Sequence, residues 1–566
     1  MALIEKRWQV ATRISPEADE NLKTYPPILR QILYNRGYAD AESAREFLEA
    51  KPAEITDPFT LSGMETAVER INQALDAEEQ IVVYGDYDAD GVTATALMMQ
   101  TLRAMGSKQV KAYIPNRFDE GYGLNKEALE NLKESGAKVV ITVDCGIRSI
   151  AEASHAKALG LDLIISDHHS PGPELPPAYA VINPKQAGDG YPCKELAGVG
   201  VAYKLASASL SRRPTPNLNP VELLDLVAIG TIADMVPLVD ENRALVRAGI
   251  TQIRRPHRQG LMALIGISGL KPERITAGNV GFSLGPRLNA AGRIGSAEDA
   301  YELLLSKDVY EAGQLAQVLD NHNRERQKIT SEMIERSEEM VLDADPQAKL
   351  LFIYDADFNP GVVGLAASRL VDRYYRPAIV AHQGEEYTRA SCRSIPEFHI
   401  TDALQECAEL LDHYGGHAAA AGFTVHNRNL AALKERLKAA AQKQLADQDL
   451  QPVLNAEAEV QLKDLQVELL EQLDWLEPTG YGNQSPLFVS RGVEVKSSRT
   501  VGKDQAHLKL TVSDGWITFD AIGFRLGYWE RQLPAKVDLL YAFEINEFNG
   551  RKMLQLNVRD LKASQT

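Results

Sequence analysis

Short apolar runs in the first half of the chain each end in an acidic or imidazole side chain. Residues 81–84 (IVVY) lead to GDYDADG, residues 138–143 (KVVITV) lead to Asp144, and residues 161–166 (LDLIIS) lead to Asp167 and two histidines. An apolar β-prone run followed by a glycine-containing loop and a Thr/Ala/Leu/Met series is typical of strand, loop and helix. The pattern therefore predicts an α/β protein with a parallel sheet.

The rest of the chain has other periodicities. Residues 29–50 read as two short helices, and residues 297–345 contain one glycine, no proline and a helical apolar rhythm. Near the C-terminus, five alternating segments with turns at Asp514-Gly515 and Asn549-Gly550 favour a small β-barrel, with an OB-fold as the leading candidate. We predict an N-terminal helical segment (1–50), an α/β catalytic domain (51–300), a connecting helix (301–345), a smaller α/β domain (346–445) and an OB-fold single-strand-binding domain (446–566).

The predicted strand ends gather residues that can bind a cation. Three carboxylates crowded into one loop repel one another unless a cation offsets them, although a DxDxD sequence alone fits a solvated acidic turn equally well. Open α/β sheets place ligands at the carboxyl ends of their strands, and residues 226–233, a strand or a helix, lead to another aspartate. Oxygen and imidazole ligands without thiolate suit Mn²⁺ or Mg²⁺ better than structural Zn²⁺. The metal candidates are Asp86, Asp88, Asp90, Asp144, His168 and Asp234.

Composition indicates the cellular compartment and excludes some classes of protein. The chain has 566 residues, enough for several domains, and four widely spaced cysteines without a CxxC pair, which favours a reducing compartment and argues against a zinc module. No apolar run approaches the length of a membrane span, so a cytoplasmic enzyme is expected. The net charge of −17 argues against non-specific duplex binding and more weakly against binding of a threaded single strand.

The motifs DYDADG, VDCG, SDHH and ADMVPL, in this order and spacing, resemble those of the DHH phosphoesterase superfamily. Within it the chain is similar to the RecJ family of bacterial single-strand-specific 5′→3′ DNA exonucleases, and later motifs extend the resemblance from about residue 50 to the C-terminus. The resemblance implies an enzyme with two divalent cations that degrades single-stranded DNA to mononucleotides in recombination and repair, beside a single-strand-binding protein and a RecQ-type helicase. We expect the chain to be a monomer.

Three polar motifs outside the metal candidates could bind phosphate. IPNRFDEGYGL contains Arg117, which on pattern alone is a surface arginine, and LGPRLNAAGRIG is equally compatible with a structural loop. Residues 390–400 and the predicted turn at Gly415-Gly416 offer hydroxyl, guanidinium and backbone N–H groups suited to an oxyanion. In the barrel, a single-strand groove would use Lys503 and Lys509, with His507 and Arg525 nearby.

The resemblance also implies roles for individual residues. It implies contacts to the 5′-terminal phosphate by Arg117, Ser391 and Arg393. It implies that His169, Arg287 and His417 lie near the reacting phosphate. For the metals, we expect one ion on Asp90, Asp144, His168 and Asp234, and the other on Asp88 and the shared Asp144.

The sequence departs from the family pattern at a few positions. Tyr84 stands where many DHH relatives carry histidine, so the second ion would use Asp86 or water, or bind more weakly. Glu397 stands where many have glycine, and the loop at residues 476–488 differs at Thr479-Gly480 and Asn483-Gln484.

Other functions share part of this pattern. A DHH phosphodiesterase acting on cyclic dinucleotides or short oligonucleotides would have the same metal ligands, but would normally lack the barrel and LGPRLNAAGR. An inactive replication factor of the same fold would not need the intact aspartates, and an inorganic pyrophosphatase of the superfamily would be much shorter.

Overall fold

A computed structural model of the chain describes residues 5–50, 56–117, 119–121, 123–344, 348–548 and 551–565. The chain forms two compact units, one made of Val10–Asp320 and Asn455–Thr566, the other of Met1–Gln9 and Asn321–Leu454. Among the described residues, no helix combines the length and apolar character that a membrane crossing requires.

The N-terminal segment is mostly helical. It contains β1 (Arg7–Val10), α1 (Pro16–Asn21), α2 (Pro27–Asn35) and α3 (Ala41–Glu49). Helix α2 begins with a proline, which fits the first helical turn, and α3 begins where the Asp40 side chain accepts hydrogen bonds from two backbone N–H groups. These are the two short helices predicted before residue 50.

A parallel sheet follows, as the apolar runs predict. The segment contains α4 (Met64–Asp76), β2 (Gln80–Tyr84), α5 (Ala89–Ala104), β3 (Val110–Tyr113), α6 (Lys126–Glu134), β4 (Ala137–Val143), α7 (Ile150–Ala158), β5 (Asp162–Ser166) and β6 (Ala180–Ile182). The five strands lie in the order β3-β2-β4-β5-β6 and all pair in parallel. Alternate residues of β2 enter different cores, Ile81 and Val83 on one face and Val82 and Tyr84 on the other.

Helices cover the remainder of this region. They are α8 (Gly198–Arg212), α9 (Leu224–Ala233), α10 (Asp240–Ile253), α11 (Gln259–Ile267), α12 (Ala277–Asn279), a π-helical turn (Val280–Leu284), α13 (Gly285–Ile294), α14 (Glu298–Leu305) and α15 (Val309–Ala344). The segment before Asp234 is thus a helix. The loop interpretation of LGPRLNAAGRIG is wrong, because its proline stands in the first turn of α13 and Leu288 and Ala291 are buried in the core. The predicted long helical connector is α15.

The smaller α/β region contains one mixed sheet. Its elements are β7 (Leu351–Asp355), α16 (Val363–Tyr374), β8 (Ala378–Gln383), β9 (Tyr387–Arg393), α17 (Ile400–Gln405), β10 (His413–His417), β11 (Ala420–His426) and α18 (Asn427–Leu445). The strand order is β10-β11-β9-β8-β7, with only β7 and β8 parallel. The predicted turn at Gly415-Gly416 is wrong, because both glycines lie in the edge strand β10, where a Cβ on Gly416 would stand 2.4 Å from the Ala420 oxygen.

The last region is the predicted OB-fold barrel. It contains β12 (Val453–Ala456), which pairs with β1, then β13 (Ala458–Glu459), α19 (Val467–Asp474), β14 (Phe488–Val501), β15 (His507–Ser513), β16 (Thr518–Gly523), β17 (Lys536–Phe548) and β18 (Arg551–Ala563). The order β14-β15-β16-β18-β17 closes through a second pairing of β14 with β17. The predicted Asn549-Gly550 turn lies outside the described residues, between the paired strands β17 and β18.

Candidate metal centre and nucleic-acid contacts

Loops after β2, β4 and β5, together with the end of α9, bring the predicted metal ligands into one cluster. Within the described residues, three overlapping sets place their ligand atoms within 4.8 Å of one another. The sets are Asp86, Asp88 and Asp144; Asp144, His168 and His169; and Asp90, His168 and Asp234. All six predicted metal candidates therefore meet, and His169 joins them.

Local hydrogen bonds fix the aspartate loop. The Asp88 carboxylate accepts hydrogen bonds from the N–H groups of Asp90 (2.9 Å) and Gly91 (3.1 Å), which makes it the N-cap of α5. The side-chain oxygen of Asn289, on α13, accepts a hydrogen bond from Ala89 N–H at 2.8 Å. Asn289 lies within the LGPRLNAAGRIG motif but was not predicted as a site residue, and its contact shows that α13 supports the loop.

Two glycines allow helices to approach the carboxylates closely. Both oxygens of Asp90 accept hydrogen bonds from the first N–H groups of α8, those of Gly198 (2.7 Å) and Val199 (2.8 Å). A Cβ on Gly198 would lie 2.4 Å from Asp144 Oδ1, and a Cβ on Gly230 would lie 2.8 Å from Asp90 Oδ1. Helices α8 and α9 can therefore enclose the carboxylates only with glycine at these positions.

The buried His168 imidazole points into the carboxylates. Its Nε2 lies 3.2 Å from Asp144 Oδ1, 3.6 Å from Asp234 Oδ2 and 4.0 Å from Asp90 Oδ2. Burial, reinforced by the neighbouring His169, lowers the pKa of His168 to about 3. A neutral imidazole among carboxylates is the protonation state in which histidine binds a metal.

Four of the clustered carboxylates have raised pKa values, which a bound cation would lower. Burial, followed by repulsion from neighbouring aspartates, raises the pKa of Asp90 to about 7 and that of Asp234 to about 9. The same two causes raise the pKa values of Asp86 and Asp144 well above the usual range. The donor set of carboxylates and one imidazole thus fits Mn²⁺ or Mg²⁺.

Metal binding should therefore release protons. At pH 8, addition of Mn²⁺ is expected to release about one proton or more per chain, since Asp234 holds its proton up to a pKa of about 9 and a ligand must be deprotonated. Below pH 7, Asp90 adds another proton, so the apparent affinity should fall more steeply as the pH falls. Titration calorimetry in buffers of different ionisation enthalpy measures this release, and a heat that is independent of the buffer would contradict it.

Asp167 is a site residue that the sequence interpretation missed. Its buried carboxylate accepts hydrogen bonds from the backbone N–H groups of Ile147, His168 and His169, and lies 2.8 Å from His169 Nδ1. Burial would raise the pKa of Asp167, but the hydrogen bond to His169 and the charge of that histidine lower it to about 2. The pKa of His169, lowered by burial but raised more by Asp167 and the other aspartates, is about 9. Asp167 therefore orients His169, and its place directly before the two histidines was the available signal.

Replacement of Asp167 by asparagine is expected to lower the rate of any Mn²⁺-dependent hydrolysis at this centre about 10- to 100-fold, as for other groups that orient a site residue. An amide keeps the size of the side chain but removes the charge that holds His169. Steady-state kinetics with saturating Mn²⁺ would measure the loss, and calorimetry should show that the ion still binds. Loss of Mn²⁺ binding would instead indicate a general collapse of the cluster.

Tyr84 does not take the place of a ligand. Its side chain is buried in the core on the opposite sheet face from Ile81 and Val83, and its hydroxyl donates a hydrogen bond to the Gly123 oxygen at 3.0 Å. The described cation cluster contains Asp86.

Arg117 contacts the aspartate loop, and Arg287 lies on α13, the helix that supports this loop. The Arg117 guanidinium lies 4.8 Å from the centre of the Tyr87 ring, within the aspartate loop, and its charge lowers the pKa of Asp86 against the larger effect of burial. Arg287 is mostly buried, with Nε 3.0 Å and Nη2 2.9 Å from Asp320 Oδ1. Asp320 was not predicted as a site residue, because it lies in the segment 319–330 of α15, whose sequence is typical of a solvated helix face.

Ser391 and Arg393 adjoin one another in the smaller α/β region. Arg393 Nη1 donates a hydrogen bond to Ser391 Oγ at 3.0 Å, and burial lowers the pKa of the guanidinium. A Cβ on Gly364, in the first turn of α16, would lie 3.0 Å from Ser391 Oγ and 3.2 Å from Arg393 Nη2. A buried guanidinium, a hydroxyl and a helix N-terminus together suit a phosphate. Glu397 accepts a hydrogen bond from the Tyr375 hydroxyl at 3.1 Å.

The remaining predicted residues lie on strands or beside them. His417, Gly415 and Gly416 all belong to β10, and His417 pairs with Ala420. In the barrel, Lys509 lies 3.4 Å from Asp520, whereas Lys503 lies in an exposed turn before β15. His507 Nδ1 accepts a hydrogen bond from the backbone N–H of Arg525, and its ring contacts Phe524 edge-on.

Comparisons with known proteins agree with the three folded regions. Family models match the DHH family N-terminal domain at residues 80–231, the DHHA1 domain at residues 347–446 and the RecJ OB domain at residues 456–560. The single-stranded-DNA-specific exonuclease RecJ of Salmonella typhimurium is 36% identical over 99% of this chain and 100% of the relative. The chain belongs to the RecJ family. The Bacillus subtilis RecJ is 44% identical over 95% of this chain and 68% of its own length.

Solved RecJ structures support the same assignment. The crystal structure of RecJ from Thermus thermophilus in complex with Mn²⁺ has a TM-score of 0.85 and 31% identity, covering 99% of this chain and 80% of that one. The corresponding Mg²⁺ complex has a TM-score of 0.80 and 29% identity, over 99% of this chain and 79% of that one. Both RecJ complexes contain a divalent cation of the kind that the carboxylate and imidazole cluster fits.

Proposed function

We propose that this chain is a metal-dependent exonuclease that degrades single-stranded DNA in the 5′→3′ direction to mononucleotides, in recombination and repair. The observation that carries the proposal is the cluster of carboxylates around the buried, neutral His168 in a chain of the RecJ family. Bound cations would offset the repulsion among the aspartates of this donor set.

The proposed ligands form two overlapping sites. Asp90, Asp144, His168 and Asp234 would hold one Mn²⁺ or Mg²⁺ ion, and Asp88, Asp86 and the shared Asp144 would hold the other. Bound in this way, the ions would supply a lowered pKa for water and neutralisation of negative charge on the phosphate. Asp90 and Asp144 are oriented for this task by the close approach of α8, and Asp88 by its own N-cap bonds.

Other side chains would act on the phosphate directly. His169, whose pKa is about 9, would donate a hydrogen bond to the phosphate while Asp167 holds its ring. Arg287, fixed by Asp320, and His417 are proposed to stabilise negative charge at the same phosphate.

Recognition of the strand would use three further groups of residues. Ser391 and Arg393, with Arg117, are proposed to bind the 5′-terminal phosphate and so to set where cleavage begins. The backbone of Gly415 and Gly416 would approach the strand closely, and the barrel would hold its continuation through Lys503 and Lys509. A single-strand-binding protein and a RecQ-type helicase as partners, a cytoplasmic location and a monomeric state remain predictions.

The proposal is tested with single-stranded DNA that carries a 5′-phosphate and a 3′-label, incubated with Mn²⁺ beside a duplex of the same sequence. We expect mononucleotides to appear from the 5′ end of the single strand and the duplex to persist. Hydrolysis confined to dinucleotides would favour a small-substrate phosphodiesterase, and binding without cleavage would favour an inactive replication factor.

Replacement of Arg393 by alanine should weaken recognition of the 5′-phosphate. Since a hydrogen bond to a charged group contributes about 1.5–3 kcal/mol, we expect KM for 5′-phosphorylated DNA to rise about 10- to 100-fold. KM for a strand with a 5′-hydroxyl should change little. Arg389→Ala, on the same strand β9, is the matched control. An equal rise with both substrates would contradict a role at the 5′-phosphate.

A further inference from the structure

Phe282 is the most exposed aromatic side chain among the described residues of Val10–Asp320. It is 89% exposed and lies in the π-helical turn Val280–Leu284, which immediately precedes α13. π-helical turns within α-helices are rare and often occur at functional sites. A large apolar ring that stays almost wholly in water gains no burial free energy and does not stabilise the core.

The turn that carries Phe282 packs against the end of the helix that supplies a proposed metal ligand. A Cβ on Gly281 would lie 3.3 Å from Ile232 Cγ2, and a Cβ on Gly285 would lie 3.2 Å from the Cβ of Ala233. Ala233 is the last residue of α9 and adjoins Asp234. The glycines on either side of Phe282 thus face α9, whereas the Phe282 ring is exposed to solvent.

A second exposed apolar side chain follows the metal ligand directly. Met235 is 67% exposed and has a φ of 63°, a left-handed conformation that is unusual for a residue with a long side chain. Strained backbone of this kind is found mainly at functional sites, where surrounding structure maintains it. Met235 and Phe282 thus both expose large apolar side chains to solvent near the end of α9.

A single-stranded DNA substrate contains groups, its bases, that can pack on these exposed apolar side chains. Arg287, one turn beyond Phe282, donates a hydrogen bond from Nη1 to the Ser283 oxygen. The charged side chain is therefore bonded to the same turn that carries the aromatic ring. A phosphodiester placed at the metal centre brings with it a base within one nucleotide. Nucleobases stack on aromatic rings regardless of sequence, because every base has a π-face.

We propose that Phe282, together with Met235, is a stacking platform for the base of a nucleotide that flanks the scissile phosphate. The inference rests on the proposed exonuclease function and assigns to this site a contact with the base rather than with the backbone. Because a paired base has both faces covered by its neighbours in the duplex, the platform selects for unpaired DNA at the point of cleavage.

The test combines a protein variant with a substrate that lacks one base. Wild type, Phe282→Ala, Phe282→Trp and the control Tyr310→Ala, another exposed aromatic in the first turn of α15, are compared with Mn²⁺ on 5′-phosphorylated single strands. The strands are complete or carry one abasic nucleotide at the first or second position. We expect Phe282→Ala to raise KM about tenfold on the complete strand, whereas Phe282→Trp and Tyr310→Ala stay close to wild type.

The abasic strands separate stacking from other effects. On the strand that lacks the stacked base, wild type should already show the raised KM, and Phe282→Ala should add no further loss. If Phe282→Ala behaves as wild type on the complete strand, or loses activity equally on complete and abasic strands, the platform is overturned while the exonuclease function stands. If wild type cleaves none of the strands, the proposed function itself fails, and the platform fails with it.

Discussion

Replacement of Asp144 by alanine is expected to abolish Mn²⁺-dependent degradation of single-stranded DNA. Asp144 belongs to two of the three ligand sets, so its removal opens both proposed ion sites at once. Metal stabilisation of a phosphoryl transition state contributes several kcal/mol, and a loss of about 4 kcal/mol corresponds to about a thousandfold lower rate. Release of 5′ mononucleotides would measure the loss of activity, and Mn²⁺ calorimetry would measure the loss of ion binding.

Stability measurements distinguish this loss from misfolding. The raised pKa of Asp144 comes from burial and from repulsion by its neighbours, so the metal-free variant should melt at the same temperature as wild type or higher. Mn²⁺ should raise the melting temperature of wild type but not of the variant. Asp76→Ala, which removes an exposed surface aspartate, is the control and should retain both activity and the Mn²⁺ response. Full activity of the Asp144 variant would refute the metal assignment.

The sheet and the proposed metal ligands at its edge could be located from the sequence because short-range signals determine their positions. A strand buried on both faces must be a continuous apolar run, and β2 and β4 are almost entirely buried. The polar residue that ends such a run must then lie at the edge of the sheet. This is why Asp144 and His168 could be placed from the sequence, together with the aspartate loop after β2.

Predictions were left open, or were wrong, where the local sequence fitted two structures equally well. All but the last two residues of α9 are buried, so its apolar residues show no helical period and the segment before Asp234 could not be told from a strand. Gly415 and Gly416 have turn propensity, but strand β11 provides small partners, Gly422 and Ala421, that accept them in an antiparallel pair. In both cases the neighbouring element, not the segment itself, determines the conformation.

The supporting residues of the site were missed for a related reason. Asn289 is 200 positions from Ala89, whose N–H it binds, and Asp320 is 33 positions from Arg287. Such contacts carry no periodic signal, because they depend on how helices pack after the chain has folded. Asp167 is a different case, because it directly precedes the two histidines in the sequence. Only the structure shows that its carboxylate faces His169.

One long-range contact links the N-terminal helices to the rest of their unit. Arg243, on α10, is 1% exposed, and its guanidinium donates hydrogen bonds to five backbone oxygens. One belongs to Phe47, near the end of α3, whose ring lies 4.1 Å from the guanidinium. The other acceptors are the oxygens of Trp475, Leu476, Glu477 and Pro478. A single side chain thus satisfies carbonyl groups from two segments that are far apart in the sequence.

Replacement of Arg243 by alanine should therefore lower the free energy of unfolding by about 3–5 kcal/mol, because it leaves buried carbonyl groups without a donor and creates a cavity. Burial lowers the pKa of Arg243 only to about 10, so the side chain is charged at neutral pH and the interaction should not depend on pH between about 5 and 8. Urea unfolding followed by circular dichroism measures the loss. Arg212→Ala, which removes a half-exposed ion pair with Glu65, should change stability by less than about 1 kcal/mol. Equal unfolding midpoints for the two variants would show that the Arg243 contacts do not hold these segments together.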